Sequence, residues 1–410
     1  MRFIVLVYAI SIFVFAGCQA KAEQEKRPKW LVNAMSVAAL HLDNMKTEVL
    51  QTGKMPRSKE RGLVPIEDWT SGFYAGSLWY MYEYTGEEKW AELATQVTDL
   101  LEDQKNNRHD HDVGFRIFCS FGNGYRLKKD PHYKEVIITA SESLGSRFNS
   151  TLGLIRSWDD ALIQTMDKGF DCPVIIDNMM NLEMLYAASR LSKNNKFHNI
   201  SVSHADKTLV NHYREDYSCP HVVDYDKKTG KRIKMTFNNG YNETSAWSRG
   251  QGWGLYGYTM SYRATKDTAY LKHAEKIASF IINNPNLPKD RIPYWDYRAP
   301  ETPTARDASA AALNASALLE LSLYSENGEE YFKIAEEILR NLSTPEYLAK
   351  AGENGHFILK HATGNFRRNS EVDNTLSYAD YYYLEAILRY LSITENKPFP
   401  VLYELNNQSS

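Results

Sequence analysis

Two aspartates and one arginine are the first candidates for chemistry. Asp177 lies in Val174-Ile175-Ile176-Asp177-Asn178-Met179-Met180, apolar on both sides. A carboxyl so placed is desolvated, so its pKa should rise, and a raised carboxyl suits a general acid. The competing reading is a buried Asp held by backbone N–H groups. Asp112 follows His111 in HDVGF (111–115), where a helical pattern opens. Taken alone, that position reads as a plain N-cap. Arg249 belongs to SAWSRGQGWGLYGY (245–258), which gathers Gln251, Trp247 and Trp253 around two glycines. A stable helix start needs none of these. A pocket for a flat, polar anion uses all of them: a fixed cation, an amide, and indoles that pack on an apolar face. The bland alternatives are a structural ion pair for Arg249 and core packing for the tryptophans. Arg306-Asp307 reads as an internal pair, and Cys119 and Cys172 as packing residues.

Such residues need a frame that brings them together. The chain repeats one theme: a polar loop, an aromatic-rich helical pattern, a short turn, and a second amphipathic helix. Five such units begin near residues 68, 111, 175, 247 and 305. The C-terminal SYADYYYLEAILRYLSI pairs with the helix around residues 30–50 as the sixth. The first helix of each unit is apolar nearly all round and the second half polar, as inner and outer helices require. Six hairpins predict an all-α (α/α)6 barrel, with an open solenoid as the alternative. HVVDYDKKTGKRIKMTFNNG (221–240) breaks the pattern and reads as a β-hairpin near the mouth. In a toroid the loops before the inner helices meet at one end. Trp69, His111, Asp112, Asp177, Arg249, Trp253, Arg306 and Asp307 all fall at such positions, where helix N-termini also favour anions.

Composition narrows the function. The net charge of −3 argues against binding nucleic acid through bulk charge. Aromatic residues make up 12% of the chain, with 27 Tyr and 8 Trp, a surplus that fits sugar recognition as well as a Tyr-rich core. The N-terminus carries one Arg, a short apolar run and Phe15-Ala16-Gly17-Cys18, the pattern of an export signal. Ala-Gly-Cys resembles a bacterial lipobox, which makes Cys18 the lipidated residue and a lipid anchor the only membrane contact. An ordinary cleaved signal is the alternative. The expected organisation is a signal at 1–17, a tether at 18–28 and a single barrel domain at 29–402. Three cysteines remain after Cys18, an odd number that argues against a disulfide framework. With no CxxC or HExxH spacing, neither metal nor cofactor is expected. Nothing in the pattern specifies an oligomeric state.

HDVGF (111–115), IIDNMMNLEMLY (175–186), SAWSRGQGWGLYGY (245–258) and EVDNTLSYADYYYLEAILR (371–389), in that order, resemble glycoside hydrolase family 88, the unsaturated glucuronyl hydrolases. The likeness covers nearly all of the chain after the tether. It implies the (α/α)6 fold and removal of a 4,5-unsaturated glucuronic acid from an oligosaccharide left by a polysaccharide lyase. It implies hydration of the C4=C5 bond rather than the two-carboxylate displacement of ordinary glycosidases. It assigns Asp177 as general acid/base and Asp112 as the second essential carboxyl. Arg249 becomes the partner of the substrate carboxylate. Gln251, Trp253, Trp69, His221, Asn239 and Trp158 become residues of the sugar site. One departure is Asn238-Asn239, where some members have His-Gln. Members that accept sulfated sugars place sulfate contacts in the segment matching 361–370. Here it lacks a Ser-x-x-Ser-x-Lys pattern but offers Arg367 and Arg368 for a neighbouring subsite, or as a solvated charge pair. The rival readings are an unsaturated rhamnogalacturonyl hydrolase, another glycosidase on this barrel, and a non-catalytic glycan-binding lipoprotein.

Overall fold

A computed structural model describes residues 27–166, 169–299 and 304–402. The expected signal, most of the tether and the lipidation residue Cys18 lie outside the described residues. The described residues open with α1 (Lys29–Thr52), then β1 (Met55–Ser58) and β2 (Gly62–Val64). The hairpin α2 (Gly72–Thr85) and α3 (Glu88–Asp99) follows. Next come α4 (Val113–Ile117), a π turn at Phe118–Gly122, α5 (Asn123–Lys128) and α6 (Pro131–Gly145). After β3 (Phe148–Asn149), β4 (Leu154–Ile155), α7 (Asp160–Thr165) and β5 (Cys172–Ile175) come α8 (Asn178–Ser192) and α9 (Asn195–Asn211). β6 (Val222–Tyr225) and β7 (Arg232–Thr236) precede the pairs α10 (Ser248–Thr265) with α11 (Thr268–Ile282), and α12 (Ala308–Leu321) with α13 (Gly328–Leu342). The last helix is α14 (Ser377–Thr394).

These are the six hairpins of an (α/α)6 barrel. The inner helices are α2, α4–α5, α8, α10, α12 and α14. All of α12 is buried, and α14 is buried from Ser377 to Ser392. Outer α13 buries one stripe, Tyr331, Ile334, Ala335, Ile338, Leu339 and Leu342. Arg27 pairs with Glu395 at 2.6 Å and the Trp30 ring meets Tyr390 at 5.7 Å, so α1 closes the ring beside α14.

The turns from inner to outer helix share one device. Lys129, Lys193 and Lys266 end their helices with φ of 57, 57 and 62°. The next residues, Asp130, Asn194 and Asp267, cap the outer helices by accepting from the N–H of His132, Lys196 and Ala269. A left-handed Lys costs about 1 kcal/mol relative to Gly. Lys193 is exposed, so Lys193→Gly should raise the unfolding free energy measured in urea by up to that amount, with activity unchanged.

Close approach draws the inner ring tight. A Cβ on Gly114 would stand 2.1 Å from Asn181 Oδ1, so α4 and α8 pack through the absence of that atom. Gly257 meets Met179 in the same way, joining α10 to α8. Along the axis all six inner helices contribute to one buried polar network. Asn123 donates to the Tyr381 hydroxyl, and the Tyr80 hydroxyl lies 3.0 Å from that of Tyr381 and donates to Glu385. Ser316 also donates to Glu385. Arg389 pairs with Glu320 at 3.1 Å, and Arg263 joins Glu320 at 2.7 Å to Glu183 at 2.5 Å. Removing one charge from this set would strand another in the core.

The 221–240 hairpin is present as β6 and β7, and β5 joins it in the antiparallel order β5-β6-β7. Ile175 pairs with Val222, and Ile176 N–H donates to His221 O at 3.2 Å. The sheet therefore delivers Asp177 and His221 side by side.

Candidate active site

Asp112 and Asp177 stand immediately before α4 and α8, the two helices that touch at Gly114 and Asn181. Neither carboxylate caps its helix. The N-cap reading of Asp112 is thereby removed, and its own N–H is taken by Asp110 Oδ1 at 2.8 Å. Asp307 shows the contrast: it caps α12 through the N–H of Ser309 and Ala310. The two uncapping carboxylates are partly buried, with side chains 17% and 14% exposed.

A buried histidine backs each carboxylate. His111 Nε2 lies 3.4 Å from Asp112 Oδ1, and His221 Nε2 lies 3.4 Å from Asp177 Oδ2. His221 Nδ1 accepts from Asn239 N–H at 2.8 Å, which puts the proton of the neutral ring on Nε2, facing Asp177. Burial pushes His111 down to about 4 despite the nearby Asp177 and Asp110 charges, so it works as a neutral ring.

Asp112 is the carboxyl pushed well above the usual range. Burial is the main cause, followed by the Asp110 charge, with Arg116 pulling the other way and Asp177 and Asp68 adding to the rise. Asp110 accepts both arms of Arg116 at 2.9 Å. Burial works to raise the Asp110 carboxyl, and the Arg116 fork still holds it low. The sequence reading placed the raised carboxyl at Asp177. In the fold, burial and the like charge of Asp110 raise the Asp112 carboxyl. Asp110→Asn removes that negative charge and unmasks Arg116, and both changes lower the pKa of Asp112. The alkaline limb of kcat/KM should then move down by about one pH unit. An unmoved limb with a lower Tm would show a purely structural Asp110.

The other predicted residues divide. Trp69 is partly exposed and leans on Tyr378, Phe73 and Phe115, with ring centroids 4.8, 5.7 and 5.5 Å away. Trp253 is fully buried between Phe115 and Tyr382, at 5.4 Å from each. These two rings meet on Phe115, three residues after Asp112, and form one aromatic wall with Tyr378 and Tyr382. Arg249 departs from its expected role as a free carboxylate partner. Its guanidinium pairs with Asp307 at 2.9 Å and donates to Ser309 Oγ, Thr363 O and Gly364 O. It also stacks between Trp247 and Tyr378, at 4.7 and 5.0 Å. Only Nε has no partner among the described residues. Arg306 pairs not with Asp307 but with Asp290, at 3.0 Å.

Gln251 is likewise engaged inside the fold. Its amide accepts from Cys219 N–H at 3.2 Å and donates to Cys219 O at 2.9 Å, so it clamps the segment that carries His221. Trp158 packs into a small cluster with Ile163, Ile175 and Val222, its backbone bridged to Asp110. It is a packing residue behind the site wall. Asn239 sets the His221 tautomer, and its side chain accepts from Asn365 at 2.5 Å. Arg367 and Arg368 are exposed at the rim. Arg367 donates to Tyr241 O at 2.9 Å and lies over Phe237, and Arg368 reaches Asn238 Oδ1 at 3.4 Å. Cys119, Cys172 and Cys219 are buried and unpaired.

Sequence reasoning did not assign Tyr378, Asn181 or Asp110. Tyr378 joins Trp69 to Arg249, and Asn181 is buried with its amide unpartnered beside the dyad. For Asp110 the signal was visible in the alternation His109-Asp110-His111-Asp112.

A barrel of helical hairpins with two uncapping carboxyls and an aromatic wall at one end defines a glycoside hydrolase. The chain belongs to glycosyl hydrolase family 88, whose model matches residues 43–260. It is 42% identical over 398 residues to an unsaturated glucuronyl hydrolase of Formosa agariphila, covering 94% of this chain and 97% of that protein. An unsaturated chondroitin disaccharide hydrolase of Streptococcus pyogenes is 29% identical over 90% of this chain and 92% of its own length. A solved unsaturated glucuronyl hydrolase specific for heparin superposes with a TM-score of 0.85 at 45% identity, over 90% of this chain and 99% of that one.

Proposed function

We propose that this enzyme removes the 4,5-unsaturated glucuronic acid from the non-reducing end of lyase-generated glycosaminoglycan oligosaccharides. The carrying observation is the pair of uncapping carboxyls, Asp112 and Asp177, each backed by a buried histidine. Asp177 delivers a proton to C4 and then draws one from the water that adds at C5. The resulting hemiketal at C5 opens, and the aglycone leaves as the sugar becomes an open-chain keto acid. Asp112, held neutral, donates a hydrogen bond to a ring hydroxyl and positions the ring. His221 Nε2–H steadies Asp177 as its charge changes. The substrate brings its own carboxylate, and that added negative charge favours the protonated dyad. Trp69 offers the face against which the sugar stacks, and the unpartnered Nε of Arg249 offers one N–H and a fixed charge. No metal or cofactor enters this scheme.

Heparin-type disaccharides rank first among substrates. The 45% identity to a heparin-specific relative supports this order, as do two rim arginines suited to a sulfate or uronate in the next subsite. The test is a panel of unsaturated heparin, chondroitin and hyaluronan disaccharides, with decay of the near-ultraviolet enol-ether absorbance as the readout. Heparin disaccharides should decay fastest. A flat trace across the panel from folded protein would favour unsaturated rhamnogalacturonyl substrates or a binding protein.

The same proposal holds the protein to be exported and anchored through Cys18. Arg27, the first described residue, lies beside Glu395, at the end where α14 finishes. The dyad lies at the opposite end, where inner helices start, so an anchored molecule presents its mouth away from the bilayer. Metabolic labelling with a fatty acid, lost in Cys18→Ser, tests the anchor.

A further inference from the structure

A cleft of about 460 Å³ opens outside the catalytic mouth, between the loop before α4 and the β3–β4 hairpin. Its lining includes Arg108, Arg147, Arg156, Phe148, Asn149 and Asp159. Arg147 is the buried strut: it donates to Arg156 O at 3.0 Å, to Asp159 at 2.8 Å and to Arg108 O, fixing the backbone that carries the two flanking arginines. Arg156 is half-buried and pairs with Asp160 at 2.6 Å. Arg108 is exposed. Arg147 and Arg156 are thus matched by Asp159 and Asp160, and the exposed Arg108 leaves the cleft with one guanidinium in excess, on a protein whose net charge is −3. Phe148 adds a partly exposed ring beside these charges.

Guanidiniums on a braced backbone match carboxylates and sulfates, and an aromatic face matches the apolar side of a sugar ring. The proposed catalytic scheme uses none of these residues. Yet Arg108 is two positions from Asp110, and the Trp158 backbone bridges to that Asp110, so the cleft lies beside the mouth.

We infer that this cleft is a second carbohydrate site, one that holds a sulfated or uronate sugar of a longer glycan while the mouth takes the unsaturated end. The inference rests on the proposed reading of the enzyme as acting on anionic oligosaccharides. Its role is to concentrate the glycan at the protein, so affinity should weaken with salt.

The test uses a saturated sulfated heparin hexasaccharide, which lacks the C4=C5 bond and is not turned over. Binding is measured by calorimetry with wild type and with Arg108→Ser/Arg156→Ser, and inorganic sulfate is titrated in parallel. The inference expects wild type to bind the hexasaccharide, the variant to bind at least tenfold more weakly, and sulfate alone to bind far more weakly than the sugar. Turnover of an unsaturated disaccharide should stay within twofold of wild type. No binding by wild type, equal binding by the variant, or sulfate binding as tight as the hexasaccharide would each overturn it. Disaccharide turnover by wild type is read separately, so a failure of the catalytic reading shows itself independently of the cleft.

Discussion

Asp177→Asn lowers kcat by about a thousandfold, with the fold and substrate binding retained, because general acid–base catalysis contributes about 10²–10⁴-fold. The amide is nearly isosteric and can keep an oxygen at the position that stands 3.4 Å from His221 Nε2. It cannot deliver a proton to C4 or take one from water. Asp177 makes no capping hydrogen bond to α8, so the substitution breaks no cap and removes only the interaction of its charge with the helix dipole. The measurement is turnover of an unsaturated disaccharide, together with Tm and the affinity for uncleaved substrate. Near-wild-type turnover would move the proton transfer to another group, with Asp112 the next to test. Loss of both folding and binding would make Asp177 a structural carboxylate.

The second large effect falls on stability. Arg249→Met should cost about 3–5 kcal/mol, because it strands the fully buried Asp307 without its cation. It also frees Thr363 O and Gly364 O, so the 361–370 segment loses its hold on α10. The double variant Arg249→Met/Asp307→Asn should recover part of that loss, since the side-chain amide oxygen introduced there can still accept from the first N–H groups of α12. Urea denaturation of the two variants reads this directly. Unchanged stability in the single variant, with a large rise in KM, would return Arg249 to the role of a free substrate anchor.

These two residues also show what a sequence can carry. Asp177 was legible because its neighbours are local: an apolar run, a helix start and a carboxyl between them. The six hairpins were legible for the same reason, since the contrast between an all-apolar and a half-polar helix repeats within each unit. Arg249 was not. Its partners Asp307 and Gly364 lie 58 and 115 residues away, and nothing in the local pattern separates an arginine facing a ligand from one facing a carboxylate across the ring. Gln251 misled in the same way, because its partner Cys219 is 32 residues distant. The raised Asp112 carboxyl was not legible because the deciding charges, Asp110 and Arg116, act through a folded geometry. Strand β5 escaped notice because four apolar residues before Asp177 read equally well as the flank of α8. Only its pairing with β6 reveals how Asp177 and His221 become neighbours.

The central claim is that the glycosidic bond breaks after hydration of C4=C5, with Asp177 moving the proton. The most direct measurement is proton NMR of an unsaturated heparin disaccharide turned over by wild type in D₂O. The account predicts that the vinyl H4 signal disappears in step with disaccharide consumption, leaving one deuterium at C4 and no free unsaturated monosaccharide at any time. Release of a monosaccharide that still carries its vinyl proton would contradict it and place the reaction at the anomeric carbon.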